Sequence, residues 1–148
     1  MFKRHHYLSQ NLSPAAQCWV ALCDGAPVAF VAMLHMPQPQ RSFWRVSRIV
    51  CSPDFQGIGI AGLLMDFVCS IYRCLGKPVS ITSGHPGLIR SLVKSTAWKI
   101  LRAPSARASR RTGNKIAYSV ASSERKTASF EYVGPVNKDE ARAFGLCK

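Results

Sequence analysis

Apolar and polar positions divide this chain into blocks of two different periods. From Cys18 to Met36, "CWVALCDGAPVAFVAMLHM" is two apolar runs broken at Asp24-Gly25, a dipeptide that favours a tight hairpin turn. A third strand follows in "SFWRVSRIVCS". Strict alternation there sets Trp44, Val46 and Val50 on one side and Arg45, Ser47, Ile49 and Cys51 on the other. The period then lengthens. Ile60, Leu63, Leu64, Phe67, Val68, Ile71 and Leu75 recur as the apolar stripe of a helix packed on a sheet, with Asp66 on its outer face and Gly76 closing it. "VSITS" reads as a buried strand, parallel to the third through this crossover helix. "HPGLIRSLVKS" is a shorter helix with Pro86 near its start.

Weaker patterns fill the rest. "HHYLS" (5–9) is a short edge strand, and "NLSPAAQ" is a turn or a single helical turn capped by Ser13. "AWKILR" and "IAYSVAS" are strands on either side of a basic loop, 103–115. "SERKTA" reads as loop, "FEYVGP" as a short extended piece, and 135–148 as a tail with some helical pattern. The expected class is α+β, a mixed α/β sheet with one central crossover. One domain over 1–148 is expected, its core within about 5–120.

Charge changes the picture most. Twenty Lys and Arg oppose seven Asp and Glu, a net +13. This excess favours nucleic acid, anionic cofactors or acidic proteins as partners and disfavours polycationic substrates. Six cysteines form no C-x-x-C pair, which excludes a zinc finger or a secreted disulfide scaffold. The N-terminus lacks the apolar stretch of a signal peptide, and no apolar run is long enough to span a bilayer, so the cytoplasm is the expected location.

The segment "FQGIGIAGLLMDF" places Gly57, Gly59 and Gly62 at the mouth of the long helix. Glycine there costs helix stability, about 1 kcal/mol per interior residue relative to alanine. Bare backbone at a helix N-terminus presents unpaired amides and a positive dipole end to an anion, which is phosphate-binding logic. No G-K-[ST] follows, so this is not a P-loop. The glycines also follow antiparallel strands rather than opening a parallel sheet, unlike a dinucleotide fingerprint.

The whole stretch "RIVCSPDFQGIGIAGLLMDFV" resembles motif A of the Gcn5-related N-acetyltransferases (GNAT), Q/R-x-x-G-x-G/A after an apolar strand and a proline. Gln56, Gly57, Ile58, Gly59, Ile60 and Ala61 fill the motif, and Pro53 stands in the expected place. With the strands and helices around it, the resemblance spans about residues 17–102. It implies the GNAT fold and an acyl-CoA-dependent N-acyltransferase, with acetyl-CoA or another acyl-CoA as cofactor. It implies that the main chain of Ile49, Val50 and Cys51, on the strand that is fourth in the family's pattern, pairs with the pantetheine arm. The amides from Gln56 to Ala61 would hold the pyrophosphate, and a backbone N–H at a strand bulge near Val50–Cys51 would stabilise the oxyanion. Cys51 is expected to pack rather than act as a nucleophile.

The sequence departs from the family pattern in three places. Where the second helix usually starts from Asn and carries a Tyr seven residues on, this chain has His85 and Leu92. Ser91, Tyr118 and Tyr7 are the candidate replacements for the missing acid, and His85 is a cap or a proton carrier. Carboxylates are scarce: only Asp54 lies near the implied site, and no Glu falls on the central strands as read here. That scarcity points to an acceptor nitrogen already neutral at pH 7, which needs no strong base. The N-terminal helical region is short, which leaves room for a large acceptor that His5, His6 and Tyr7 would line.

A narrower resemblance, to the phage Mom DNA-modification proteins, rests on basicity and on the His6-Tyr7 pair; iron would follow only from it. The favoured acceptor is therefore nucleic acid, a DNA base or an amine on charged tRNA, with Arg102, Arg107, Arg110, Arg111 and Lys115 on phosphates and Trp44, Tyr7 or His85 against a base. The alternatives are a toxin-like acetyltransferase of aminoacyl-tRNA, a small-molecule or protein N-acetyltransferase, and a non-enzymatic nucleic-acid-binding module.

Overall fold

The computed structural model describes residues 12–105 and 126–147. Strands β1 (Gln17–Cys23), β2 (Ala26–Met36) and β3 (Phe43–Cys51) form an antiparallel meander. Asp24 and Gly25 turn the first corner with φ of 48° and 76°. Two left-handed residues in a row give the turn whose twist matches its strands. The described residues just before β1 form a turn, closed by Ala16 N donating to Ser13 O at 3.0 Å.

A short 3₁₀ turn, Pro53–Phe55, leads through the glycines into α1 (Ile60–Tyr72). A second 3₁₀ turn carries the chain to Gly76, whose left-handed φ of 69° ends it. Then come β4 (Val79–Ser83), α2 (Pro86–Lys94), β5 (Trp98–Ser105), β6 (Thr127–Tyr132) and α3 (Lys138–Ala143). The strands form one sheet in the order β1-β2-β3-β4-β6-β5, with β3 and β4 parallel. This is the mixed sheet with a central crossover that the sequence implies.

One core joins the sheet to α1, α2 and α3. Val31, Met33, Val46, Val79, Ile81, Phe130 and Tyr132 meet Met65, Val68, Cys69, Tyr72, Leu92 and Ala141. The three described α-helices therefore lie on one side of the sheet, and no described α-helix covers the other.

Four expectations need correction. β3 does not alternate strictly: Met33 pairs with Val46 and Ala32 with Arg48, so Ser47 is an extra residue. This β-bulge reverses the alternation. Ile49 and Cys51 join Trp44 and Val46 on the helix side, while Val50 joins Arg45 and Arg48 on the opposite side. In α1 the buried stripe is Met65, Val68, Cys69 and Tyr72, rotated from the one expected; Leu63 is 71% exposed. Asp66 is consequently half-buried and not on the outer face.

β6 begins at Thr127, inside the expected loop, and is interior to the sheet. Ala128, Phe130 and Tyr132 bury alternate positions there, the period-two signature that "SERKTA" and "FEYVGP" cut in half. Glu131 therefore does stand on a central strand. Last, β5 runs to Ser105, into the segment expected to be loop. The expected strands at 5–9 and 116–122 lie outside the described residues.

Candidate active site

β3 and β4 pair only through Trp44–Val79, Arg45–Ser80 and Val46–Ile81. Beyond that point β3 runs on to Cys51 and β4 to Ser83 with no register pair between them among the described residues. The parting begins at the Ser47 bulge, where Ser47 Oγ donates to Ala32 O at 3.1 Å. A bulge bends its strand and increases twist, which turns the end of β3 away from β4. The result is a cleft whose β3 wall offers ladder groups unused by β4.

The corner between β3 and α1 closes the far end of that wall. Ser52 N donates to Val28 O at 2.9 Å, Cys51 Sγ to Phe55 O at 3.2 Å, and Gln56 Nε2 to Cys51 O at 3.2 Å. Gln56 N itself donates to Pro53 O at 3.2 Å. The Gln56 amide is thus engaged in the 3₁₀ turn.

Gly57 and Gly59 hold φ of 83° and 90°, and Gly59 is the N-cap of α1 without any side-chain cap. The first intrahelical bond runs from Leu63 N to Gly59 O at 3.0 Å. The amides of Ile60, Ala61 and Gly62 precede it and have no carbonyl within the helix to meet. A Cβ placed on Gly57, Gly59 or Gly62 would touch nothing within 4 Å. Gly62 is the informative case: its φ is ordinary and its surroundings are open, so neither strain nor internal packing explains it. Bare backbone over a free helix end fits a bulky anion held by main-chain N–H groups, and a coenzyme A pyrophosphate suits it.

Residues 14–101, more than half of the chain, match the acetyltransferase (GNAT) domain. The chain belongs to the GNAT acetyltransferase family. It is accordingly an N-acetyltransferase by class. Solved GNAT structures share its fold at low identity. The ribosomal-protein-S18-alanine N-acetyltransferase from Escherichia coli matches at TM-score 0.60 and 11% identity, over 88% of this chain and 82% of that one. The IAA acetyltransferase from Bacillus cereus matches at 0.56 and 15%, over 80% and 77%. A Bacillus subtilis acetyltransferase in complex with CoA matches at 0.56 and 16%, over 80% and 76%. No curated protein matches this chain in sequence.

The remaining candidate residues of this GNAT protein fall into different surroundings. His85 is the N-cap of α2: its Nδ1 accepts from Leu88 N at 3.2 Å, and its own N–H donates to Ser83 Oγ at 3.1 Å. With Nδ1 occupied as an acceptor, the neutral ring carries its proton on Nε2. Its ring also lies against Gly87, where a Cβ would come within 3.1 Å of Cε1. Ser91 is exposed on α2, next to Leu92 in the core, so the family's Tyr position is filled by packing. Asp54 is exposed in the 3₁₀ turn. Arg102 Nη2 donates to Thr127 Oγ1 at 3.3 Å on the edge of the sheet.

Neither described tyrosine supplies the missing acid. Tyr72 is fully buried, accepts from Trp19 Nε1 at 3.2 Å and donates to Gln17 Oε1. Tyr132 is 2% exposed, and burial pushes its pKa up to about 12. Burial also raises the Cys51 thiol above its ordinary value, which keeps it neutral and unsuited to nucleophilic attack. His6, Tyr7, Tyr118, Arg107, Arg110, Arg111 and Lys115 lie outside the described residues.

Glu131, the carboxylate that sequence reading misplaced, faces away from the helices. Its Oε1 lies 3.8 Å from Arg41 Nη2. Arg41 precedes β3, at the end opposite the cleft, so this pair draws the carboxylate away from the parting strands. Among the described residues no group of His, Cys, Asp and Glu is arranged to hold a metal, and the Mom-like iron reading finds no support there. No described helix is long and apolar enough to cross a membrane.

Proposed function

We propose that this N-acetyltransferase takes its acyl group from acetyl-CoA and delivers it to a nitrogen of a nucleic acid or of an amine carried by one. The cofactor would rest its pyrophosphate on the amides from Gly57 to Ala61 and its pantetheine arm along Ile49–Cys51. Bound there, acetyl-CoA supplies an activated thioester carbonyl. The chain's own part is to hold that carbonyl in the cleft, where amides next to the Ser47 bulge serve as oxyanion donors in place of the Val50–Cys51 position.

One observation supports the acceptor reading: among the described residues, no carboxylate is placed at the open end of the cleft. Asp54 is exposed and Glu131 is turned toward Arg41. An alkylammonium acceptor must lose a proton before attack, and a general base for it has to sit within hydrogen-bond reach. A weakly basic nitrogen, such as the exocyclic amine of a nucleobase, is neutral already. The net charge of +13 favours the polyanion that carries it.

Incubation with labelled acetyl-CoA and separate pools of DNA, tRNA and protein tests this reading. Label retained on nucleic acid supports it; label on protein alone contradicts it. Protein or small-molecule acylation is the second reading, favoured by neighbours such as the S18-alanine N-acetyltransferase and a nourseothricin acetyltransferase.

A further inference from the structure

The sheet side that faces away from the helices is divided along its length. Over β2 it is apolar, with Val28, Phe30 and Ala32. From β3 to β5 it is polar, and register fixes the arrangement. One row crosses the strands as Arg45, Ser80, Glu131 and Lys99. The next places Thr82 beside Ser129 and Ser129 beside Arg102, with Arg48 on the β3 side beyond the bulge. Rows on one side of a strand are about 7 Å apart, and three strand spacings separate β3 from β5 by about 14 Å.

This is a trough. Its walls are cationic: Arg45 on β3, Lys99 and Arg102 on β5. Its floor, on β4 and β6, is made of short hydroxyls. Thr82 Oγ1 and Ser129 Oγ lie 3.0 Å apart, and Ser80, Thr82 and Ser129 are all half-buried rather than sealed. Glu131, the acid on these strands, is offset by its ion pair with Arg41, a residue outside the two walls. Lys99 and Arg102 are exposed. The trough runs into the place where β3 and β4 part, on the side away from α1.

We propose that this trough binds a single-stranded nucleic-acid segment, with phosphates against the walls, and leads its acceptor base or terminal amine to the cleft. Charge of one sign on both walls suits a backbone that is charged at every residue. The width is too small for a duplex to sit between the walls. The proposal rests on the nucleic-acid acceptor reading and adds the path by which that acceptor arrives.

The test is fluorescence anisotropy with a labelled single-stranded oligonucleotide, a duplex of the same sequence and polyglutamate. The proteins compared are wild type, Lys99→Glu/Arg102→Glu and the milder Lys99→Gln/Arg102→Gln. Coenzyme A titration of each protein serves as the folding control. The expected result is a tenfold or greater loss of single-strand affinity in both variants with coenzyme A binding unchanged. The salt slope should fall by about 1.4 for two lost phosphate contacts. An unchanged single-strand affinity and slope overturns the trough even if label still reaches nucleic acid, so the acceptor reading would survive it. A tighter duplex or equal binding of polyglutamate overturns it as well. Failure of the wild-type protein to bind any oligonucleotide overturns the trough together with the acceptor reading.

Discussion

Trp98 Nε1 donates to Asp66 Oδ1 at 2.7 Å, a bond that ties β5 to the middle of α1. It fixes the helix rotation that turns Leu63 outward and carries the glycine turn with it. Burial raises the Asp66 carboxyl above its ordinary value, and the indole bond lowers it by less. A carboxyl with a raised folded-state value binds more protons folded than unfolded, so its contribution to stability falls as pH rises. That contribution is complete below the ordinary carboxylate value, about 3.9. It is lost as pH climbs through the raised one. Asp66→Asn keeps an acceptor for the indole and removes the titration. Urea midpoints should therefore show the Asn variant gaining on wild type between acidic and neutral pH. Asp66→Ala, which strands a buried indole N–H, should cost about 1–3 kcal/mol.

Gly62→Ala separates stability from binding. Open space and ordinary φ at this position predict a more stable helix, by up to about 1 kcal/mol. The added methyl should still weaken coenzyme A binding at least tenfold in a calorimetric titration. A variant both more stable and equally tight would remove the reason for that glycine.

Gly59→Ala meets the opposite condition. A side chain at φ of 90° is strained, by about 1–2 kcal/mol. Thermal melts should show that loss, together with loss of stabilisation by coenzyme A.

His85 is predicted to act as a cap. His85→Ala should cost about 1 kcal/mol through the bond from Leu88 N, and His85→Asn should restore most of it. Acetyl transfer by the Asn variant should stay within a few-fold of wild type. A hundredfold loss of kcat in a stably folded Asn variant would instead make His85 the proton carrier.

These contrasts show what the sequence carried. The hairpin at Asp24-Gly25, the helix after the glycines and the stop at Gly76 each rest on local backbone chemistry, and local patterns declare them. The bulge at Ser47 has no such sign. An inserted residue leaves composition intact and only reverses parity, so Ile49 and Val50 exchanged sides. Asp66 was misread because Ile60, Leu63 and Leu64 extended the apolar stripe by one helix face, and only packing against Trp98 shows which face is inside. Glu131 was lost when β6 was split between two short patterns. At the site, the bare helix start at Gly57, Gly59 and Gly62 was legible from the glycines themselves. The engaged Gln56 amide was not, because it depends on the 3₁₀ turn around Pro53.

The central claim is that unpaired amides at the start of α1 receive the cofactor's pyrophosphate. The most direct measurement is a ¹⁵N–¹H correlation spectrum of the labelled protein, with and without coenzyme A. The account predicts the largest amide shifts at Gly57 through Ala61, with Ile49–Cys51 next. Tight binding that leaves those amides unmoved, or no binding at all, would contradict it.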